Sequence, residues 1–335
     1  MSSPAQVKER LIGNRRGVPP DVGRIAPTGC FATNPTYATH FIWRSITANP
    51  REPKELNRRE SNDISADSAL SAVNYIREGK GAPALMIHGL AASLHDWDFL
   101  LPELTAAGYE ACALDLLGHG ESAKPSRLEA YTAQGVYDHL AGWIDSLDLS
   151  APLILIGHSL GGYLALLYAL RFPERVRALI LVNPFYSVRQ LSPILQLVFK
   201  RPLLNTSIIE RTPYWLFRIV IDVTSLHFGS GEDGIHTLPE SVRIQTTLDY
   251  KRAAAGIYNI PRTLRDLTPD LPRVRMPTLV LWGERDQSLA PGSFSELVRA
   301  LPNARGKAIP VCGHVPHQCH AAQFNRLVME FLNGL

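Results

Sequence analysis

The chain has 335 residues, of which 45% are hydrophobic and 19% charged, with a formal net charge of +3. That is the composition of an ordinary soluble enzyme, long enough for one large α/β domain or two smaller ones around a sizeable core. The charge excludes a nucleic-acid footprint: residues 1–63 and 184–275 are each +4, from ten basic against six acidic and twelve against eight, and the remainder is mildly acidic.

Residues 1–63 are rich in Arg, Pro, Ser, Thr and Asn and have no sustained apolar period, so they read as a flexible extension outside the folded body. Phe41-Ile42-Trp43 offers a short docking segment within it. No apolar signal-peptide core is present, and the four scattered cysteines, Cys30, Cys112, Cys312 and Cys319, read as free thiols in a reducing compartment. Cytoplasm is the default reading. An organelle transit peptide is the alternative, because Glu9 and Asp21 are the only acidic residues before Pro50.

From Ile64 the pattern alternates. Ala72 to Arg77 predicts an edge strand, Ala84 to Ile87 a buried strand ending at His88-Gly89, and Glu110 to Asp115 another ending at Leu117-Gly118-His119-Gly120. An amphipathic helix is predicted over Tyr131 to Leu147, and buried strands over Val176 to Val182 and Thr278 to Trp282. Such alternation implies a mostly parallel, doubly wound sheet with helices on both faces and chemistry beyond the carboxyl ends of its strands.

Between them, Leu153 to Ile156 runs into Gly157-His158-Ser159-Leu160-Gly161 and then the helical pattern Tyr163 to Leu170. A strand, a G-x-S-x-G turn and a helix form a nucleophile elbow, in which Ser159 is held in a strained conformation and both glycines avoid collisions with the neighbouring strand and helix. The uncharged run Ala151 to Leu170 is cut by Pro152, His158 and glycines, so no transmembrane segment is expected.

A serine hydroxyl needs a base within hydrogen-bond reach and an acid to orient that base. Asp286 lies just past the Thr278 to Trp282 strand, and His314 lies near the C-terminus in Gly313-His314. Glu284 is the nearest rival to Asp286, and His119 and Asp115 are lesser rivals for base and acid.

From about Ile64 to Leu335 the chain resembles the α/β-hydrolase superfamily, specifically its capped, cofactor-free serine hydrolases. The resemblance rests on His88-Gly89-Leu90, the run Asp115 to Ser122, the elbow, and the Gly-x-x-Asp and Gly-His pairs. It implies an α/β-hydrolase fold with Ser159 as nucleophile, His314 as general base and then acid, and Asp286 as orienting carboxylate. It implies an oxyanion hole from the backbone N–H groups of Leu90 and Leu160, and a structural role for His119 and Asp115. The resembling group holds carboxylesterases, lipases and carbon-carbon bond hydrolases. Epoxide hydrolases and haloalkane dehalogenases of this kind carry Asp at the nucleophile position, where this chain has Ser159.

Between Pro184 and about Met276 the alternation stops. Helical segments such as Ile194 to Phe199 and Tyr214 to Val223 are broken by prolines, the pattern of a helical cap inserted after the strand that follows the elbow helix. Its apolar stretch Leu191 to Phe228, interleaved with Arg201, Arg211 and Arg218, reads as a lid on the body, or alternatively as a helix in peripheral contact with a membrane. Trp97, His158 and His317 are candidates for the pocket wall, with packing or turn support as the other reading for His158. The run Cys312, His314, His317, Cys319, His320 lacks paired metal spacing and is interrupted by Pro316, so no metal and no cofactor are expected. The reading is a serine hydrolase acting through an acyl-enzyme on a small ester with an apolar acyl or aromatic group. A carbon-carbon bond hydrolase, thioesterase or lactonase on the same triad is the alternative, as is a triad-bearing ligand receptor with little turnover.

Overall fold

The computed structural model describes residues 72–149, 151–191, 196, 211–226 and 235–335, all within one compact unit, residues 62–335. The 1–63 extension, with Cys30 and Phe41-Ile42-Trp43, lies outside the described residues, as does the predicted helix 194–199 apart from Gln196.

Among the described residues seven strands form one sheet: β1 (Tyr75–Gly79), β2 (Ala82–Ile87), β3 (Tyr109–Leu114), β4 (Leu153–His158), β5 (Val176–Val182), β6 (Thr278–Gly283) and β7 (Ala304–Ile309). Their spatial order is β1-β3-β2-β4-β5-β6-β7. All neighbours are parallel except β1, which pairs antiparallel with β3. Every residue of β4 is buried, as a central strand covered on both faces requires. Edge strand β1 buries none of its five residues fully.

Helix α1 (Leu101–Ala106) packs on one face of the sheet, and α2 (Ala133–Ser146) and α3 (Leu160–Arg171) on the other. Thr132 starts α2 by accepting from the Gly135 N–H at 3.0 Å, an N-cap that satisfies one orphan donor of the first turn. Helix α2 begins two residues later than the sequence pattern suggests, because Tyr131 instead fills the core and donates its hydroxyl to the Pro125 carbonyl at 2.7 Å.

The break in alternation after β5 is an insertion. Within it, α4 (Tyr214–Thr224) and α5 (Glu240–Arg252) pack together. Asp222 joins them, accepting from Arg218 Nε at 2.8 Å on its own helix and from Arg243 Nη1 at 2.7 Å on the other. After α5 the chain is tied to the sheet body. Ala254 N–H donates to the Gly118 carbonyl at 2.8 Å, Thr263 Oγ1 accepts from Ala133 N–H at 2.7 Å, and Leu267 N–H donates to the Tyr186 carbonyl at 2.9 Å.

Helix α5 also buries Asp249, 4% exposed, whose Oδ1 accepts from Gln245 Nε2 at 2.9 Å. Burial pushes this carboxyl up to about 7, and the nearby Asp96 charge adds to the rise. The folded protein therefore keeps a proton that the unfolded chain releases near pH 4, so a penalty on the folded state grows between about pH 4 and 7 and is constant above. D249N should melt at a higher temperature than wild type at pH 8, reflecting a stabilisation of at most about 4 kcal/mol, and no higher at pH 4. Equal melting temperatures at pH 8 would show that Asp249 pays no such penalty.

Beyond the insertion, β6 is followed by α6 (Pro291–Ala300), and β7 by α7 (Pro316–Cys319) and α8 (Ala321–Leu332). Helix α6 joins α2 and α3 on one face, through Phe294 and Leu297, while Phe324 and Val328 of α8 join α1 on the other. Among the described residues no helix is long and apolar enough to cross a membrane.

Candidate active site

The elbow is formed at the centre of the sheet. Ser159 sits between the last residue of β4 and the first of α3 with φ 51° and ψ −111°, a left-handed conformation that a non-glycine residue adopts only where its surroundings hold it there. Its N–H donates to the Val182 carbonyl at 3.0 Å and its carbonyl accepts from Phe185 N–H at 3.0 Å, so β5 and the turn after it clamp the strained residue. A Cβ at Gly157 would lie 2.7 Å from Gly162 N and run into the Gly161 carbonyl, and one at Gly161 would lie 2.7 Å from the His88 carbonyl and run into that of Ile87. Both glycines are thus set by close approach.

Asp286 lies in the loop after β6 and is 5% exposed, whereas Glu284 points to solvent. Its Oδ1 accepts from the Ser288 and Leu289 N–H groups at 2.7 and 3.0 Å. Its Oδ2 accepts from Asn183 Nδ2 at 2.6 Å and lies 2.8 Å from His314 Nδ1. Burial pushes its pKa up, but His314 and these donors outweigh burial and hold it below the ordinary carboxylate range. An ionised carboxylate only accepts, so His314 carries its proton on Nδ1 and leaves the Nε2 lone pair free.

Ser159 and His314 line one cavity of about 280 Å³, together with Leu90, Leu160, Phe185, Tyr250, Tyr258 and Leu264 among others. This described lining carries no lysine, arginine, aspartate or glutamate. Leu160 is the first residue of α3, where N–H groups lack intrahelical acceptors and the helix dipole favours negative charge. Among the described residues, the Leu160 and Leu90 N–H groups donate to no protein acceptor. The turn that presents Leu90 is pinned by His88, whose Nε2 accepts from Leu116 N–H at 2.9 Å while Nδ1 donates to the Gly89 carbonyl at 2.7 Å.

A family model described as the alpha/beta hydrolase family matches residues 84–327. The chain belongs to this family. Similar alpha/beta hydrolases include 2-hydroxy-6-oxo-6-(2'-aminophenyl)hexa-2,4-dienoic acid hydrolase of Metapseudomonas resinovorans, 27% identical over 269 residues, covering 77% of this chain and 87% of that protein. Bifunctional epoxide hydrolase 2 of Sus scrofa is 26% identical over 299 residues, 78% of this chain, and the chain spans only 53% of that relative. Among solved structures, a thermophilic esterase from Thermogutta terrifontis superposes with a TM-score of 0.64 at 25% identity, covering 78% of this chain and 93% of that one.

Two expectations for this alpha/beta hydrolase need correction, and one strand escaped the sequence reading. Trp97, His158 and His317 are absent from the cavity lining; they are buried together with Asp96, Trp97 stacked on His317 at 4.9 Å between ring centroids and His317 on His158 at 4.6 Å. Trp97 packs in the core cluster on the α1 face of the sheet, and His158 Nε2 meets the His314 carbonyl at 3.0 Å. The cysteines are not all free: Cys312 and Cys319 form a disulfide that closes the loop carrying His314, and only Cys112 is free among the described residues. These cysteines therefore do not argue for a reducing compartment. Strand β7 was not anticipated, since Arg305, Gly306 and Lys307 are exposed and break the apolar run by which a strand is read.

Asp115 and His119 lie outside the cavity. Asp115 accepts from the Leu94 and Glu121 N–H groups and from Asn74 Nδ2, each at 2.8 Å. Burial pulls His119 down to about 3, and its Nδ1 bonds the Leu117 carbonyl at 2.9 Å. Two groups bring potential metal ligand atoms within 4.8 Å of one another: Asp96 with His158 and His317, and Cys312 with Cys319 and His320. The sulfurs of the second group are bonded to each other.

Sequence reasoning missed Asn183, Tyr250 and Tyr258. Asn183, at φ 41° directly after β5, was findable as an Asn-Pro pair at the carboxyl end of a buried strand. The two tyrosines carry no local signal, because only the fold of the insertion brings them to the cavity.

Proposed function

We propose that the chain is a serine hydrolase that cleaves neutral esters with an apolar acyl or aromatic group. Ser159 attacks the ester carbonyl, His314 Nε2 takes its proton and passes it to the leaving alcohol, and Asp286 orients and stabilises the imidazolium that forms between these steps. The Leu90 and Leu160 N–H groups receive the oxyanion, each donor of this kind being worth about 2.7–4 kcal/mol of barrier. Water then deacylates the acyl-enzyme with His314 as base. The observation that carries this reading is the 2.8 Å contact of His314 Nδ1 with buried Asp286, on a cavity wall that also holds strained Ser159. Residues 184–276 act as a cap that sets the substrate's shape through Tyr250, Tyr258 and Leu264.

A second reading, cleavage of an activated carbon-carbon bond, is favoured by the similarity to the dienoic acid hydrolase. Such an acid brings a carboxylate, and the described lining holds no lysine or arginine to receive it. The two readings separate in one experiment, in which p-nitrophenyl esters from acetate to octanoate are compared with a 2-hydroxy-6-oxo-dienoic acid. Multiple turnovers of the esters, with kcat/KM rising with chain length until the cavity is filled, are expected. Faster cleavage of the dienoic acid would replace the ester reading, and a single burst without turnover would leave a ligand receptor.

A further inference from the structure

Outside the cavity lining lies a buried polar cluster that the ester chemistry does not use. His158, the last residue of β4 and immediate neighbour of Ser159, is 4% exposed, and Asp96 is 6% exposed. His158 Nδ1 lies 3.2 Å from Asp96 Oδ2, and His158 Nε2 lies 3.0 Å from the backbone carbonyl of His314. The ring thus spans two acceptors, one of them on the residue that serves as base.

Proton counting decides what this arrangement requires. A carbonyl only accepts, so the contact to His314 needs a proton on Nε2. If the ring carries no other proton, the Nδ1 lone pair faces Asp96 Oδ2, and two lone pairs at 3.2 Å repel. The contact needs a further proton between Nδ1 and Oδ2. The rest of the cluster does not supply it from elsewhere: Gln318 Nε2 donates to Asp96 Oδ1 at 3.1 Å, and Gly89 N–H approaches Oδ2 at 3.5 Å. His317 Nε2 is 3.7 Å from the same oxygen, beyond hydrogen-bond distance. Burial pulls the His158 ring down to about 4; burial also pushes the Asp96 carboxyl up, but the adjoining His158 and His317 rings outweigh it and hold Asp96 below its ordinary range. A shared proton answers both tendencies, because the pair then carries no net charge into the interior.

We propose that Asp96 and His158 are a positioning pair that holds one shared proton and thereby tethers the backbone of His314 to the nucleophile strand. This rests on the reading of Ser159 and His314 as nucleophile and base. Asp286 fixes the His314 ring at one end and His158 fixes its carbonyl at the other, so the base has little freedom to swing away from Ser159. Loss of the tether is then a loss of alignment, felt in kcat more than in KM.

The test compares variants of the full chain. H158L removes the Nε2 donor, and kcat for p-nitrophenyl butyrate is expected to fall about tenfold or more with KM within about twofold. H158Q, whose amide N–H2 reaches toward the Nε2 position, should recover most of the loss. D96N should fall less than D96A, since an amide can donate to Nδ1 and leave the Nε2–H on His314. Wild-type kcat in H158L, or H158Q falling as far as H158L, overturns the proposal. One readout does not depend on turnover: in 15N-histidine spectra His158 Nε2 should carry a slowly exchanging proton. An unprotonated Nε2 overturns the tether even if the ester chemistry stands. A protonated Nε2 in a protein that hydrolyses no ester would sustain the tether and sink the ester reading.

Discussion

S159A should abolish labelling by a fluorophosphonate and lower kcat for p-nitrophenyl esters by on the order of a millionfold. The size of the effect follows from what remains. On the proposed mechanism, without the hydroxyl no acyl-enzyme forms, His314 has no proton to take, and the Leu90 and Leu160 donors can stabilise only the attack of water. The substitution is structurally mild: Ser159 makes no side-chain cap to α3, and its two clamping hydrogen bonds use the backbone. An alanine also retains the Cβ, so the strained φ of 51° is no worse accommodated. Melting temperature should therefore change little, which separates lost chemistry from lost fold. Labelling that survives S159A would mean that another nucleophile carries the reaction.

D286N should lower kcat by about ten-thousandfold while leaving a folded protein. Here the argument is about which atoms can donate. Every described partner of Asp286 is a donor: Ser288 and Leu289 N–H on Oδ1, Asn183 Nδ2 and His314 Nδ1–H on Oδ2. An amide has one oxygen, so its N–H2 must oppose either the two backbone donors or Asn183 and His314. In the second placement the amide donates to His314 Nδ1, the ring proton moves to Nε2, and the base loses the lone pair that takes the Ser159 proton. In the first, two buried N–H groups go unpaired and melting temperature falls as well. H314Q should be at least as damaging to kcat. H317Q should retain most activity, because His317 lies outside the cavity with neither ring nitrogen within hydrogen-bond reach of a partner among the described residues. Full activity in D286N would move the orienting role to another carboxylate.

The parts of this molecule legible in the sequence are those with a short local cause. Strand β5 is legible with its observed ends because six of the seven residues from Val176 to Val182 are buried, with Arg177 alone among them exposed. The elbow was legible because two glycines are imposed by close approach rather than by flexibility. Asp286 was separable from Glu284 only by resemblance, and the structure gives the physical difference: one carboxylate is buried among donors and the other is in water. What was illegible depends on distant segments meeting. Asp96 and Gln318 are 222 positions apart, and Tyr250 reaches the cavity through the packing of α5 against the body. His158 was doubly readable, as wall or as support, because its side of the elbow is fixed only once β4 has neighbours on both edges.

The helices α4 and α5 leave the sheet after β5 and return before β6, two strands that are adjacent and parallel from Leu179 to Val182. Ser159, Asn183, Asp286 and His314 all sit at or beyond the carboxyl ends of strands whose pairing does not involve that excursion. The strand pairing does not run through α4 and α5, and the segment after α5 is what bonds the insertion to the body, through Ala254, Thr263 and Leu267. Insertions, deletions and repacking within the excursion can redraw what fits against Ser159 without shifting the register on which Asp286 and His314 depend, so selectivity and bond-breaking power can drift independently in descendants of this chain.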